Sequence, residues 1–552
     1  MVPPGGDSNG RAAARTSRAG DRRTSDSGSG GAGTAGASAA LPKMATPRSF
    51  VLGALALGTV ACSSPELTPH AGAGGALSSA SSNGAGGGSS TSGGGGEGAA
   101  GGAAARARGV MMQGFYWDVP PTDDGNWWKH LAAIAGELHD AGITAIWIPP
   151  PYKGKNGTSD VGYGVYDRYD LGEFDQKGTI ATRYGTRAEL EAAIEALHRS
   201  GIAVYADIVM NHLMGGDPET FTVDGKQFTA STSFTFPGRG GAYSTWTWNH
   251  DGFNGCKQGG GWTQWHPWDF QPYAGGDAWD GLLGCEIRYA DAADRDEMIT
   301  WGKWITSTLA LDGYRLDATK HMLDEFVNDW LDAVKGDRFA VSEAWFGDLG
   351  HLEDYAVATG GRTSLFDVPL HYLLRDMGEG NGAWDMRKLA HAGFTDANGD
   401  LSVSFVDNHD TDNAGGLHSP VVNLKMLAYA YILTRDRGYP CVFYKDFYEY
   451  GFGDSIRKLI AIRSSNGYGE GAEHAESDTN VYVYSRAGDD THPGLVLLLN
   501  DGPALTKTVT TPFPRTSLVD AIGNETETVE TDASGQAALP IAAKSYGVWV
   551  PR

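Results

Sequence analysis

Three acidic residues close short apolar runs in this chain: Asp317 in Gly313-Tyr-Arg-Leu-Asp, Glu343 in Ala340-Val-Ser-Glu and Asp410 in Ser404-Phe-Val-Asp-Asn-His-Asp. Carboxyl groups in such a set suit acid-assisted displacement at an acetal carbon. Cleavage of a glycosidic bond needs two of them, one donating a proton to the leaving oxygen and one serving as nucleophile or base. A third can stabilise the positive charge that develops at the sugar carbon. Arg315 lies two residues before Asp317, so on a strand both side chains point to one face. A guanidinium there would keep Asp317 ionised at neutral pH. One acid at a strand end is more often a cap or an ion-pair member; three, each with its neighbours, shift the balance towards chemistry.

An alternation of strands and helices must position these acids. The strands predicted are 110–117, 143–148, 203–209, 313–317, 339–343, 363–367, 402–406 and 440–444, with 363–367 the weakest. Helices are predicted over 127–141, 187–200, 294–311 and 322–335. Ala145-Ile-Trp-Ile and Ala203-Val-Tyr-Ala are nearly unbroken apolar runs, as parallel strands buried on both faces require. Eight such strands predict an α/β fold, a TIM (β/α)8 barrel, whose active site lies at the carboxyl ends of its strands. The three acids then share one cleft.

Residues 1–105 are dominated by Gly, Ala and Ser and are expected to be a disordered leader and tether. Within it, Met44 to Cys62 has a basic residue, a short apolar run and small residues, a secretory signal pattern too short for a stable membrane span. Thr59-Val-Ala-Cys62 is similar to a bacterial lipoprotein signal but has Thr where Leu is usual. The expectation is an exported bacterial protein, either extracellular or a cell-surface or outer-membrane lipoprotein anchored at Cys62. Whether translation begins at Met1 or Met44 stays open. Lys and Arg total 43 against 67 Asp and Glu, a balance that argues against nucleic acid or an anionic membrane as ligand. A neutral polysaccharide is compatible with it. Cys256 and Cys285 fall in one irregular insertion, where a disulfide and two free thiols both remain open, and Cys441 reads as a buried core residue. No oligomerisation signal is visible, and a monomer is expected.

Four segments carry a family resemblance: Asp207-Ile-Val-Met-Asn-His212, Gly313 to His321, Val341-Ser-Glu-Ala-Trp345 and Phe405 to Asp410. Trp147 to Lys153 and Asp160 to Phe174 strengthen it. From about residue 109 to the end, the chain resembles the α-amylases of glycoside hydrolase family 13, most of all the bacterial liquefying enzymes. The resemblance implies retaining endo-hydrolysis of α-1,4-glucosidic bonds in starch, glycogen and maltodextrins. By it, Asp317 is the nucleophile, Glu343 the acid and then the base, and Asp410 the stabiliser of the distorted sugar. His212 and His409 would bond sugar hydroxyls, Tyr163 would stack beneath the sugar, and Lys320 and Trp345 would line the leaving-group side. It also implies a structural Ca2+, with Asn211, Asp291, the main-chain carbonyl of His321 and Asp280 as ligands, Asp269 being the rival of Asp280.

The same resemblance divides the chain. Residues 106–212 and 290–465 form the barrel, 213–289 an inserted, loop-rich, calcium-associated domain after the third strand, and 466–552 a C-terminal antiparallel β-sandwich. The insertion holds Trp246, Trp248, Trp262, Trp265, Trp268 and Trp279, most of which are expected to fill a small core. Two rival readings use the same residues. One is an exo-acting or transglycosylating family relative, the other a non-catalytic glucan-binding surface lipoprotein, which the intact acids disfavour.

Overall fold

The computed structural model describes residues 109–120, 126–269 and 281–552. The leader with its signal pattern and Cys62, and also Trp279 and Asp280, lie outside the described residues. Eight parallel strands close into a barrel. In chain order they are β1 (Met111–Gln113), β2 (Ala145–Ile148), β3 (Ala203–Ile208), β4 (Gly313–Leu316), β5 (Phe339–Ser342), β6 (Ser364–Phe366), β7 (Ser402–Phe405) and β8 (Tyr439–Phe443). Strand β1 is shorter than its apolar run suggests. The weakest of the predicted strands, at 363–367, is present as β6 and pairs with β5 and β7.

Helices cover the barrel because each presents an apolar stripe to it. Helix Trp127–Asp140 is capped by Asn126 and buries Trp127, Trp128, Leu131 and Leu138. Each such side chain contributes roughly 1.5–3 kcal/mol on burial. Helix Arg187–Arg199 opens on a reciprocal capping box between Thr186 and Glu189. The helix expected over 322–335 is instead an α-helix, Asp324–Trp330, followed by a π turn over Leu331–Lys335. A one-residue change of period of this kind leaves the apolar pattern almost unchanged.

The insertion after β3 is more regular than its Gly- and Trp-rich composition suggests. It holds a hairpin, Asp217–Val223 with Lys226–Ser233, and a four-stranded sheet in the order Gly261–Gln264, Phe253–Gln258, Cys285–Ile287, His212–Leu213. Cys256 and Cys285 are register partners in that sheet and are joined by a disulfide. Trp248 and Trp265 are buried there, as expected of core tryptophans. Cys441 is a buried free thiol.

Beyond helix Gly453–Asn466, a six-stranded sheet and a two-stranded sheet of Leu505–Thr510 with Gln536–Ile541 enclose a separate core of Val481, Val483, Leu498, Leu539 and Trp549. This is the antiparallel C-terminal unit expected. No helix among the described residues is long and apolar enough to cross a membrane.

Candidate active site

Strand register assembles the site. The β3–β4 register sets Asp207 opposite Arg315, and the β1–β2 register sets Gln113 opposite Trp147. Arg315 is 1% exposed and is shared among three carboxylates: Asp207 at 2.9 Å, Asp317 at 2.6 Å and Glu343 at 2.8 Å. Its ring-face neighbours are Trp147 and Tyr163. Burial works against the guanidinium charge, but Asp207 and Glu343 more than offset it and hold Arg315 above its ordinary value.

Asp317 follows the last residue of β4, and its amide donates to the Ile208 carbonyl. Glu343 follows β5 and its amide donates to the Leu316 carbonyl. Ala318, between Asp317 and the turn that follows, has φ of 49°, and its N–H donates to Glu343 Oε2 at 3.0 Å. A non-glycine residue in the left-handed region stores about 1 kcal/mol or more of strain. Here that conformation aims a main-chain donor at one acid directly after another. Asp410 sits in the turn after β7, its amide bonded to Asn408 Oδ1.

The electrostatics follow from four acids around one buried cation. Burial pushes Asp317 up, opposed by Arg315 and reinforced by Glu343 and Asp207. Burial likewise raises Asp207 and Asp410, each to about 6, against the pull of Arg315. Like charges this close cannot all ionise, so the cluster retains protons that dispersed carboxylates would lose. The short direct bond from Arg315 favours the charged form of Asp317 within that shared titration.

Asp410 tests this. Its side chain is 26% open to the cleft. A rise from the ordinary value to about 6 corresponds to roughly 3 kcal/mol, which contact with cleft water reduces to about 1–2 kcal/mol. Because the folded pKa is raised, ionisation costs stability above pH 6 and costs nothing below about pH 4. Asp410→Asn is therefore expected to raise the thermal midpoint at pH 8, with the gain fading towards pH 4; an unchanged or lowered midpoint at pH 8 would count against the assignment.

Tyr163 donates to Asp207 Oδ2 at 2.8 Å and lies 2.9 Å from His409 Nε2. Its ring, the His409 ring and the Trp117 ring are within 18° of parallel, with centroids 5.4–5.9 Å apart, a flat aromatic wall. His212 is buried and donates from Nε2 to the Tyr163 carbonyl at 2.8 Å. Its one N–H thus supports Tyr163, and only Nδ1 is left for another partner. Lys320 donates to the Trp345 carbonyl at 2.9 Å, and Trp345 Nε1 donates to the Tyr372 hydroxyl at 3.0 Å.

Sequence reasoning gave no role to Asp207, Trp147, Trp117 or Gln113. Asp207 carried a usable signal: a charge inside an otherwise apolar buried strand must find a partner.

The expected calcium ligands fit the ion in part. Asn211 is fully buried, and its Oδ1 has no hydrogen-bond partner. Asp291 caps helix Ala292–Leu309 through a bond from the Ala293 amide. Asp269 accepts from Asn254 Nδ2 and the Ala290 amide. Asp294 is 5% exposed, and its Oδ2 is unpartnered. Burial and Asp291 push Asp294 up to about 7 against the pull of Arg288. An orphaned amide oxygen and a buried, under-bonded carboxylate are each groups that a hard cation could relieve. Among the described residues no three acidic, imidazole or thiol side chains converge as a ligand set.

The chain is similar to known proteins along most of its length. Residues 136–479 match the alpha amylase catalytic domain, and residues 495–550 match the alpha-amylase C-terminal domain. The chain is 38% identical over 487 residues to a glucan 1,4-alpha-maltohexaosidase of Bacillus sp. (strain 707), covering 80% of this chain and 92% of that protein. It is 39% identical over 494 residues to an alpha-amylase of Geobacillus stearothermophilus, covering 80% and 87%. It is 33% identical over 496 residues to a cytoplasmic alpha-amylase of Escherichia coli (strain K12), covering 80% and 98%. A solved Anoxybacillus alpha-amylase superposes with a TM-score of 0.58 at 15% identity, covering 81% of this chain and 98% of that one, a likeness of fold.

Proposed function

The chain belongs to the α-amylase family, and we propose that it is a retaining endo-hydrolase of α-1,4-glucosidic bonds in starch, glycogen and maltodextrins. One observation carries the reading: a single buried guanidinium bridges Asp317 and Glu343 where β4 and β5 end. In the mechanism proposed, Asp317 attacks the anomeric carbon while Glu343 protonates the departing oxygen. The glycosyl-enzyme is then opened by water, from which Glu343 takes a proton. Arg315, bonded to both acids, holds Asp317 and Glu343 in place for these roles. Asp410 faces the positive charge at the sugar carbon, and Tyr163 with Trp117 forms the apolar wall of that subsite. His409 bonds a sugar hydroxyl; His212 acts chiefly by holding Tyr163. Lys320 and Trp345 line the leaving-group side.

A Ca2+ held by Asn211 Oδ1, Asp291 and the His321 carbonyl would supply charge neutralisation between the insertion and the barrel, and no part of the reaction. Export is part of the same reading: a disulfide in the insertion suits an oxidising compartment.

The test is reducing-end release and loss of iodine colour on soluble starch, with and without a calcium chelator. Rapid colour loss with few new ends is the expected result, as is loss of activity or of thermal midpoint on chelation, reversed by Ca2+. One dominant short product with colour retained would point to exo action instead. Chelation without effect on midpoint or activity would remove the calcium assignment.

A further inference from the structure

The bonds around His409 determine where its proton lies. Asp207 is a buried carboxylate that takes bonds from Trp147 Nε1 at 3.0 Å, from Arg315 and from the Tyr163 hydroxyl at 2.8 Å. An ionised carboxylate only accepts, so the Tyr163 hydroxyl proton lies towards Asp207. The Tyr163 oxygen is then an acceptor for its other neighbour, His409 Nε2, at 2.9 Å. That arrangement favours a proton on His409 Nε2. Burial and the Arg315 charge hold the ring neutral, its pKa lowered to about 3, so Nδ1 carries none. Nδ1 faces the side-chain amide nitrogen of Gln113 at 2.9 Å.

Gln113 is fully buried, and its Oε1 has no hydrogen-bond partner. The opposite amide orientation would be worse. It would bury the amide N–H groups without an acceptor and move the ring proton to Nδ1. One Tyr163 proton would then have to serve both Asp207 and His409. An under-bonded carbonyl is the more tolerable defect of the two.

We propose that Gln113 is a positioning residue whose amide N–H locks His409 in the neutral Nε2–H tautomer, fixing a donor beside Asp410. Asp410 Oδ2 lies 3.4 Å from His409 Nε2. Gln113 comes from β1 and His409 from the turn after β7, so the lock spans two elements of the mouth. The other groups facing the ring are Phe115, Trp117, Trp147 and Tyr163, with the charges of Arg315, Glu343 and Asp410 beyond them. The consequence for turnover rests on the glucan reading above; the tautomer does not. A ring kept neutral adds no positive charge beside a carbon that is itself becoming positive.

The experiment is ring-nitrogen NMR of the full chain labelled with 15N-histidine, the His409 signals being assigned by their absence in His409→Asn. The expected result is a protonated Nε2 and an unprotonated Nδ1, unchanged between pH 7 and pH 9, where Asp207 is ionised. A proton on Nδ1, or titration within that range, would overturn the proposal, and this needs no Gln113 variant to fold. Gln113→Glu places an acceptor at Nδ1. It is expected to protonate that nitrogen, to make His409 titrate in the accessible range, and to lower kcat by roughly tenfold or more with a smaller change in KM. Gln113→Leu is expected to mix the tautomers; retention of the wild-type nitrogen signals in that variant would also overturn the lock. Nitrogen signals as expected in a chain that does not cleave starch would support the lock and refute the glucan reading.

Discussion

Asp317→Asn is expected to fold normally, to bind maltodextrin and to release reducing ends at least about 10⁴-fold more slowly than the wild type. Asparagine keeps the shape of the side chain and its place beside Arg315, which still bridges Asp207 and Glu343. What is lost is the anionic oxygen that forms the bond to the anomeric carbon. Glu343→Gln should lose comparable activity on starch for a different reason, since the leaving oxygen has no proton donor. The two defects separate with the leaving group. An activated α-glucosyl fluoride needs little protonation, so it should restore the glycosylation step in Glu343→Gln and not in Asp317→Asn. Starch hydrolysis within tenfold of wild type in Asp317→Asn would remove Asp317 from the mechanism.

The second large effect is on stability. Arg315→Met deletes the one cation shared by Asp207, Asp317 and Glu343 while leaving all three acids in place. Removing one partner of a buried charge set typically costs about 3–5 kcal/mol, because the remaining charges stay desolvated. The pH dependence has a definite sign. Without the guanidinium the folded-state pKa values of Asp207 and Asp317 rise further above their unfolded values. Ionising these groups in the folded state then costs more, so the deficit is largest at neutral pH and shrinks on acidification as they take up protons. Denaturant midpoints for wild type and variant should diverge at pH 8 and converge towards pH 5. Arg315→Lys should recover little activity, since a compact ammonium lacks the guanidinium fork that reaches three carboxylates at once. A variant equally stable at both pH values would mean that the acids are neutralised in some other way.

These expectations rest on features that were legible in the sequence to different degrees. The barrel was, because parallel strands buried on both faces leave unbroken apolar runs such as Ala145-Ile-Trp-Ile, and β2 is fully buried. The acids were legible because each ends such a run, and barrel strands deliver their ends to one mouth. Asp207 was not given a role, since its partner Arg315 is 108 residues away and is brought opposite only by β3–β4 register. Gln113 was invisible for the same reason: its contact with His409 spans 296 residues. The His212 ring was expected at a sugar hydroxyl, and the carbonyl of Tyr163 that takes its N–H carries no sequence signal. In the insertion, short strands rich in Gly lack the alternation that marks a sheet face, so the pairing of Cys256 with Cys285 emerged only from the register of the folded sheet. The left-handed Ala318 was equally hidden, because alanine gives no hint of positive φ.

The stereochemistry of the released end tests the central claim most directly. Proton NMR of a maltodextrin digest, recorded before mutarotation, reads the configuration of each new reducing end. Double displacement through Asp317 predicts that the α-anomer appears first and decays towards equilibrium. A β-anomer appearing first would mean single displacement by water, and would contradict the nucleophile assigned to Asp317.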